Sequence, residues 1–324
     1  MRPLTETIPK PLVTLVDRPF LHHVLDHLSH HGVHEARLSS PYLESAFEAF
    51  IAERHGDPAI SWITEVTPLG TGGAVANAAR DLDESFFVLN GDILTDLDLG
   101  ELLAFHRDRE AVATITLSHE EDARPFGLVN VDERGRVSEF REKPAELVPG
   151  LVNAGTYVLE PAAVRDVEPG RPVSIEREIF PSLIERGAGV YGFVSRAYWM
   201  DLGTPETYLR ATFDALEGRI GGLDYPAPYR DPTADVSLRS QLGRWAVVGP
   251  GARVADGAEV EDSVLLAGAT VERDARVIET IVGPRALIGA GAVVQGAVLA
   301  EGAVVPPGAR AEGARVSAGM VLES

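Results

Sequence analysis

From Val248 onward an apolar residue returns about every sixth position: Val248, Val254, Val260 and Leu266, then Val271, Val277, Val282, Ile288 and Val294, and finally Leu299 and Val305. The spacing is six with an occasional five, and Gly or Ala commonly follows or stands two to four places on. A six-residue step rotates too far around a 3.6-residue period to line one face of an α-helix. Val-rich runs broken by Pro250, Pro284 and Pro306 suit short strands joined by corners. This is the hexapeptide period of a parallel β-helix, in which three hexapeptides make one coil and each coil hides its apolar edge only by stacking on its neighbours. A solenoid is therefore expected from Trp245 to Ser324.

A different pattern precedes it. Up to about Gly218, amphipathic helices alternate with apolar strands: helices near 19–29, 73–80 and 99–108, and strands at 86–89, 112–117, 128–131, 137–141 and 152–159. Such alternation predicts an α/β domain over residues 1–218, a Rossmann-like, mostly parallel sheet covered by helices. Residues 219–244 are rich in Gly, Pro and Asp and read as a linker.

Two aspartates more than a hundred residues apart, Asp92 and Asp201, each close an apolar stretch, in Phe86-Phe87-Val88-Leu89-Asn90-Gly91-Asp92 and Tyr198-Trp199-Met200-Asp201-Leu202-Gly203-Thr204. The carboxyl ends of strands are where an open α/β sheet places its ligands. Two such carboxylates suit one Mg²⁺, a hard cation that takes oxygen ligands and phosphate partners; singly, each also suits a turn or a helix cap. Between them, Leu69-Gly70-Thr71-Gly72-Gly73-Ala74 precedes a helical pattern and offers backbone amides to a nucleotide, or simply turns the chain. Glu142-Lys143-Pro144 sets an acceptor for sugar hydroxyls beside a cation suited to phosphate, and Asn153-Ala154-Gly155-Thr156 opens another apolar run with a neutral amide. Either could equally be a solvated turn.

In their order these phrases resemble the sugar-1-phosphate nucleotidylyltransferases, and within them the bacterial mannose-1-phosphate guanylyltransferases with a left-handed β-helix tail. The resemblance also takes in Arg2-Pro3-Leu4-Thr5, Pro9-Lys10-Pro11, Phe126-Gly127, Ser174-Ile175-Glu176-Arg177-Glu178-Ile179-Phe180-Pro181 and the stretch from Trp199 to Tyr208, so it covers nearly the whole chain. It implies that Asp92 and Asp201 bind Mg²⁺, that Lys10 meets nucleotide phosphates and that Lys143 holds the sugar phosphate. Gly127, Glu142 and Asn153 match positions that contact sugar hydroxyls. Gly70, Thr71, Gly72 and Gly73 match the loop that holds base and ribose. The implied reaction is attack of a sugar-phosphate oxygen on the α-phosphorus of a nucleoside triphosphate, with GTP and mannose 1-phosphate as the expected pair. Thymidylyl or uridylyl transfer onto glucose 1-phosphate is the alternative within enzymes, and a non-catalytic regulatory subunit that binds a nucleotide sugar the alternative outside them.

Members of this family begin with a buried strand and a loop of the form Gly-Gly-x-Gly-Thr-Arg, whereas Met1 stands directly before Arg2-Pro3-Leu4-Thr5. The expectation is a start placed too far downstream, with exposed sheet edges and apolar helix faces as the consequence.

Composition narrows the partners. With 29 basic and 49 acidic side chains the formal charge is −20, unfavourable for broad contact with nucleic acid or an anionic membrane. No apolar run approaches the roughly 20 residues of a membrane span, and no signal-peptide pattern follows Met1, so a cytoplasmic enzyme is expected. Cysteine is absent, which excludes disulfides and thiolate chemistry. Six histidines lie between His22 and His34, and His23 and His27 have the i, i+4 spacing of a zinc pair. Phe20, Leu21, Val24, Leu25 and Leu28 form that helix's apolar stripe, so the histidines are expected on its solvated face. Many hexapeptide domains are histidine-dependent acyltransferases, but the last of the nine histidines is His119. The tail therefore reads as a module for structure and homo-oligomeric assembly, dispensable for the chemical step.

Overall fold

The computed structural model describes residues 1–40, 44–65 and 67–322. The chain forms two compact units: Leu25–Trp199, and a second made of Met1–Val24 together with everything from Met200 onward. In chain order the elements before the solenoid are β1 (Thr14–Leu15), β2 (Arg18–Pro19), α1 (Phe20–His30), β3 (Glu35–Ser39), α2 (Glu44–Glu53), β4 (Ala59–Ile63), α3 (Gly70–Ala78), β5 (Phe86–Leu89) and β6 (Ile93–Thr95). They continue with α4 (Leu99–Asp108), β7 (Ala113–Glu120), β8 (Gly127–Val131), β9 (Val137–Glu142), β10 (Gly150–Leu159), α5 (Phe180–Glu185), β11 (Val190–Val194), β12 (Trp199–Asp201) and α6 (Pro205–Leu216).

In the unit Leu25–Trp199 the main sheet runs β11-β7-β10-β8-β9, with β5 also paired to β10. Only β11 and β7 are parallel; β10 is antiparallel to β5, β7 and β8, and β8 is antiparallel to β9. The expectation of a mostly parallel sheet is corrected to a mixed one. One cause is in the connection of β8 to β9: residues 132–136 are too few for a parallel crossover, which takes a dozen or more, and they close a hairpin. β3 and β4 form a separate parallel pair, and the second edge of β5 carries no strand among the described residues. All four residues of β5 are half-exposed, although an apolar strand inside an α/β sheet is ordinarily covered on both faces. Beneath the sheet, Ile115, Leu117, Tyr157, Leu159, Ile175, Phe180 and Val190 form one buried cluster, with Tyr157 and Phe180 edge-to-face at 5.1 Å.

The second unit contains the solenoid. Strands at 229–230, 247–248, 264–265, 281–282, 298–299 and 315–316 stack in parallel as one sheet, and two five-stranded parallel sheets complete a three-sided rod of the left-handed β-helix type. The register puts Val248, Leu265, Val282, Leu299 and Val316 in one column, a step of 17 residues. Two sides of each coil are hexapeptides and the third is shortened by one. The inward residue after Val260 is accordingly Leu265 and not the Leu266 that strict counting gives. Each shortened corner turns through the left-handed region, at Asp262, Glu279, Gly296 and Gly313. Buried Ser263 and Thr280 fill two of these corners: Thr280 N donates to Ser263 Oγ at 3.0 Å and Ala297 N to Thr280 Oγ1 at 3.2 Å. Strand pairing starts at Tyr229, so most of the segment expected as a linker is the first coil.

Helix α1 also differs from expectation. His23, placed on the solvated face by the apolar stripe, is 5% exposed and its Nε2 hydrogen-bonds the Leu15 carbonyl at 3.1 Å. A chain segment that crosses the helix from β1 turns this face inward.

Candidate active site

In the unit Leu25–Trp199 the site residues expected from the sequence converge through three short segments. The first is Gly70–Gly73, which forms the opening turn of α3. Glycine costs about 1 kcal/mol per position in a helix relative to alanine, and the packing explains why it is kept. A Cβ on Gly72 would stand 2.6 Å from Ile179 Cδ1 and 2.9 Å from Ile175 N; one on Gly73 would stand 2.8 Å from the Arg171 carbonyl. The Gly72 and Gly73 amides donate to the Val173 carbonyl at 2.8 and 3.1 Å. These glycines thus fasten the loop to the 171–179 segment instead of presenting those two amides outward. Thr71 Oγ1 donates to Glu176 Oε2 at 2.8 Å and accepts from Ile175 N at 3.0 Å.

The second is the start of β8 paired with the end of β9. Gly127 stands opposite Glu142 in register, and a Cβ there would meet Phe140 Cζ at 2.6 Å and Glu142 Oε2 at 3.0 Å. The glycine lets the Glu142 carboxylate lie across the backbone of its partner strand. Lys143 ends β9 at φ 51°, an uncommon conformation for a residue with a side chain, and its amide donates to the Phe126 carbonyl at 2.9 Å. Its side chain is exposed.

The third segment is a bulge in β10, where the register against β7 shifts between Asn153 and Tyr157. Asn153 holds the bulge with both ends of its amide: Oδ1 accepts from Gly155 N at 3.0 Å and Nδ2 donates to the Tyr157 hydroxyl at 2.8 Å. Gly155, at φ 71°, has no room for a Cβ beside Asn90 Nδ2, 2.8 Å away, while Asn90 N donates to its carbonyl. The bulge thereby fixes the Asn90-Gly91-Asp92 corner at the end of β5. Trp199 Nε1 donates to the Ala154 carbonyl at 2.8 Å, and its ring meets Phe126 edge-on at 5.1 Å.

Electrostatics tie the segments together. Burial, and then the charge of Glu176, push the Glu142 carboxyl above the usual range, against the pull of Lys143 and Arg177. Burial, with Glu176 next, drives the Tyr157 phenol far up, so it stays protonated. Glu176 is the residue to which sequence reasoning gave no role. It sits in a π-helical turn, Ile175–Ile179, a form that recurs at functional sites. The charged triplet Glu176-Arg177-Glu178 between two buried isoleucines was the available signal.

The other expected site residues, Lys10 and Asp201, belong to the unit that carries the solenoid. Lys10 opens a 3₁₀ turn, Lys10–Leu12, just before β1. Asp201 ends β12, its Oδ1 is out of solvent, and a Cβ on Gly203 would stand 2.7 Å from that oxygen. Thr204 then starts α6 with a capping box shared with Thr207 and Pro205 at the first helical position. Among the described residues no three His, Asp or Glu side chains group as a metal site, the His22–His34 stretch included. Mg²⁺ ordinarily takes only one or two protein carboxylates and fills its shell with phosphate oxygens and water, so the donor chemistry of Asp92 and Asp201 fits it.

Comparison with known proteins decides what this assembly is. The nucleotidyl transferase family model matches residues 1–218, and the GMPPB C-terminal domain matches residues 226–322. The chain belongs to the nucleotidyl transferase family. Its relatives include a mannose-1-phosphate guanylyltransferase of Mycobacterium tuberculosis, 38% identical over 84% of this chain and 80% of that protein. Mannose-1-phosphate guanylyltransferase 1 of Arabidopsis thaliana is 35% identical over 86% and 79%. A solved structure, HddC from Yersinia pseudotuberculosis, superposes with a TM-score of 0.57 at 29% identity, covering 64% of this chain and 89% of that one, and a second HddC structure is a complex with GMP-PN. This nucleotidyl transferase is an enzyme that joins a nucleoside triphosphate to a sugar 1-phosphate. No helix among its described residues is long and apolar enough to cross a membrane.

Proposed function

We propose that the chain is a GTP:mannose-1-phosphate guanylyltransferase of the cytoplasm, making GDP-mannose and pyrophosphate and self-associating through its solenoid. The observation that carries this reading is the run of mannose-1-phosphate guanylyltransferases whose similarity extends over both modules. The guanine ligand of HddC supports the same choice of base.

In this reading a mannose 1-phosphate oxygen attacks the α-phosphorus of GTP. A new P–O bond forms, the bond to the β-phosphate breaks, and pyrophosphate leaves. The attacking phosphate is already anionic near neutral pH, so no base is required of the protein. Catalysis then rests on in-line positioning and charge neutralisation. Asp92 and Asp201 would hold Mg²⁺, which supplies charge stabilisation to the transferring phosphate when bound. Lys10 neutralises nucleotide phosphate and Lys143 the sugar phosphate. Glu142 accepts hydroxyl donors of the sugar beside the Gly127 backbone, and Asn153 keeps the bulge under them. Gly70–Gly73 shapes the base and ribose pocket, and the Thr71–Glu176 bond couples that pocket to the sugar side.

The test is a panel of GTP, dTTP and UTP against mannose 1-phosphate and glucose 1-phosphate, followed by pyrophosphate release with Mg²⁺. GTP with mannose 1-phosphate should give the highest kcat/KM. A preference for dTTP or UTP with glucose 1-phosphate would reassign the substrates. Tight GDP-mannose binding without turnover on any pair would reassign the chain as a regulatory subunit.

A further inference from the structure

We propose that the solenoid, expected from sequence to serve assembly alone, is a positioning scaffold for the Asp201 corner, acting through helix α6. This rests on the transferase reading above.

The sheet that begins at 229–230 is buried on both faces. Its inward residues line the core of the rod, yet the alternate residues Val247, Val264, Ile281 and Val298 are also 0–1% exposed. Helix α6 of the same unit makes contacts at the two ends of this column. Near the helix start, Glu206 meets Arg315 of the last coil at 3.7 Å. Near its end, Phe213 stacks on Trp245 of the first full coil at 5.5 Å and 21°, and Glu217 Oε1 accepts from Trp245 Nε1 at 2.9 Å. The helix therefore lies along the stacking direction, from last coil to first.

The lengths agree. A helix of 12 residues is about 18 Å long at 1.5 Å per residue. The strands from Val247 to Arg315 make four inter-strand steps, about 19 Å at 4.8 Å each. The number of coils is matched to one helix.

What α6 carries gives the match its meaning. Asp201-Leu202-Gly203-Thr204 leads directly into its N-cap, and the Met1 amino group reaches the Gly203 carbonyl at 3.5 Å. Fully buried Tyr208 donates its hydroxyl to the Thr14 carbonyl at 2.5 Å, which fixes β1, four residues beyond Lys10. β1 and β2 are two residues each. β1 pairs with β2 over only two residues, so the Tyr208 bond adds support beside Lys10, and the three residues Leu202 to Thr204 tie Asp201 to the start of the same helix. Trp245 is accordingly a positioning residue that touches no substrate.

The experiment uses the full chain and three variants: Trp245→Ala, Trp245→Phe and deletion of one coil, residues 267–283, which preserves the 17-residue register. A misplacement near 1 Å can cost about 10²-fold in rate. Trp245→Ala and the deletion should lower kcat by about tenfold to 10²-fold, with the sugar-phosphate KM unchanged, because Glu142 and Lys143 lie in the other unit. Trp245→Phe, which keeps the stack, should retain kcat within about twofold. Circular dichroism and light scattering confirm folded proteins of unchanged oligomeric state; should Trp245→Ala not fold, Phe213→Leu takes its place. A wild-type kcat in the folded Ala and deletion variants overturns the proposal. So does a loss of kcat that appears only with a fall in solution mass, which would return the solenoid to assembly. Absence of transfer by the wild-type chain would instead refute the transferase reading.

Discussion

Glu142, Lys143 and Asn153 stand on a sheet with its own buried core, whereas Lys10 and Asp201 stand on segments too short to build one. In the first case the backbone ladder sets the geometry: Gly127 opposite Glu142, the bulge from Asn153 to Tyr157, and the Asn90 corner closed by Gly155. In the second the proposed support is α6 seated on a solenoid whose core is Val, Leu and Ala in repeated columns. Two family modules, 1–218 and 226–322, are thus not the two physical units. A repeat array can be lengthened coil by coil without a new core, which makes it a ready support for a helix that must reach a given span.

Each expected outcome below loads one side of that comparison. The largest concerns the carboxylates: Asp92→Asn and Asp201→Asn should each lower kcat by about 10²- to 10³-fold, the scale of losing one charge-stabilising group at the transferring phosphate. Unchanged melting temperatures would separate this from unfolding. Next comes Gly72→Ala in the sheet-built half. Its Cβ has to displace Ile175 and Ile179, an overpacking cost of about 1–3 kcal/mol. The nucleotide KM should rise and the melting temperature fall, while Mg²⁺ dependence stays as in wild type; a changed Mg²⁺ dependence would show that the loop also governs the metal.

A pH effect of intermediate size belongs to Glu142. Burial and Glu176 raise its pKa, so ionisation destabilises the folded state above that pKa, and the cost is relieved as pH falls through it. Acidification also removes the acceptor for sugar hydroxyls. The KM for the sugar phosphate should climb on the acid side at a higher pH than an ordinary glutamate gives, and Glu142→Gln should lack that limb while gaining stability relative to wild type at neutral pH. The same limb in Glu142→Gln would assign it to another group. Smallest is Thr71→Val, which removes the hydrogen bond to Glu176 and the one accepted from Ile175 N, each worth about 0.5–1.5 kcal/mol. Nucleotide KM should rise by roughly threefold to tenfold at constant kcat; no change would uncouple Thr71 from the nucleotide pocket.

Much of this was legible in the sequence, unevenly. The strand at Phe86–Leu89 and the helix at Leu99–Asp108 fall where the pattern puts them, and the hexapeptide columns need only the shift from Leu266 to Leu265. That shift was hidden because a corner shortened through Asp262 or Glu279 leaves no mark in hydrophobicity. Strand direction was misread because alternation with helices suggests crossovers, and only the short connection after β8 reveals a hairpin. The glycines of Leu69–Ala74 were visible, but their reason lies a hundred residues away, at Val173 and Ile179. Likewise nothing local says that Trp245 and Arg315 hold the two ends of one helix. Long-range packing is the information a single sequence carries least openly.

The reading proposed above stands or falls with Asp92 and Asp201 acting as joint holders of one Mg²⁺. A double-mutant cycle on kcat with Asp92→Asn, Asp201→Asn and both together tests it most directly. Residues that act as a unit are strongly non-additive, so the double variant should be no slower than the slower single variant within about threefold. Losses that multiply across the cycle would mean that Asp92 and Asp201 act independently, and would contradict the shared centre.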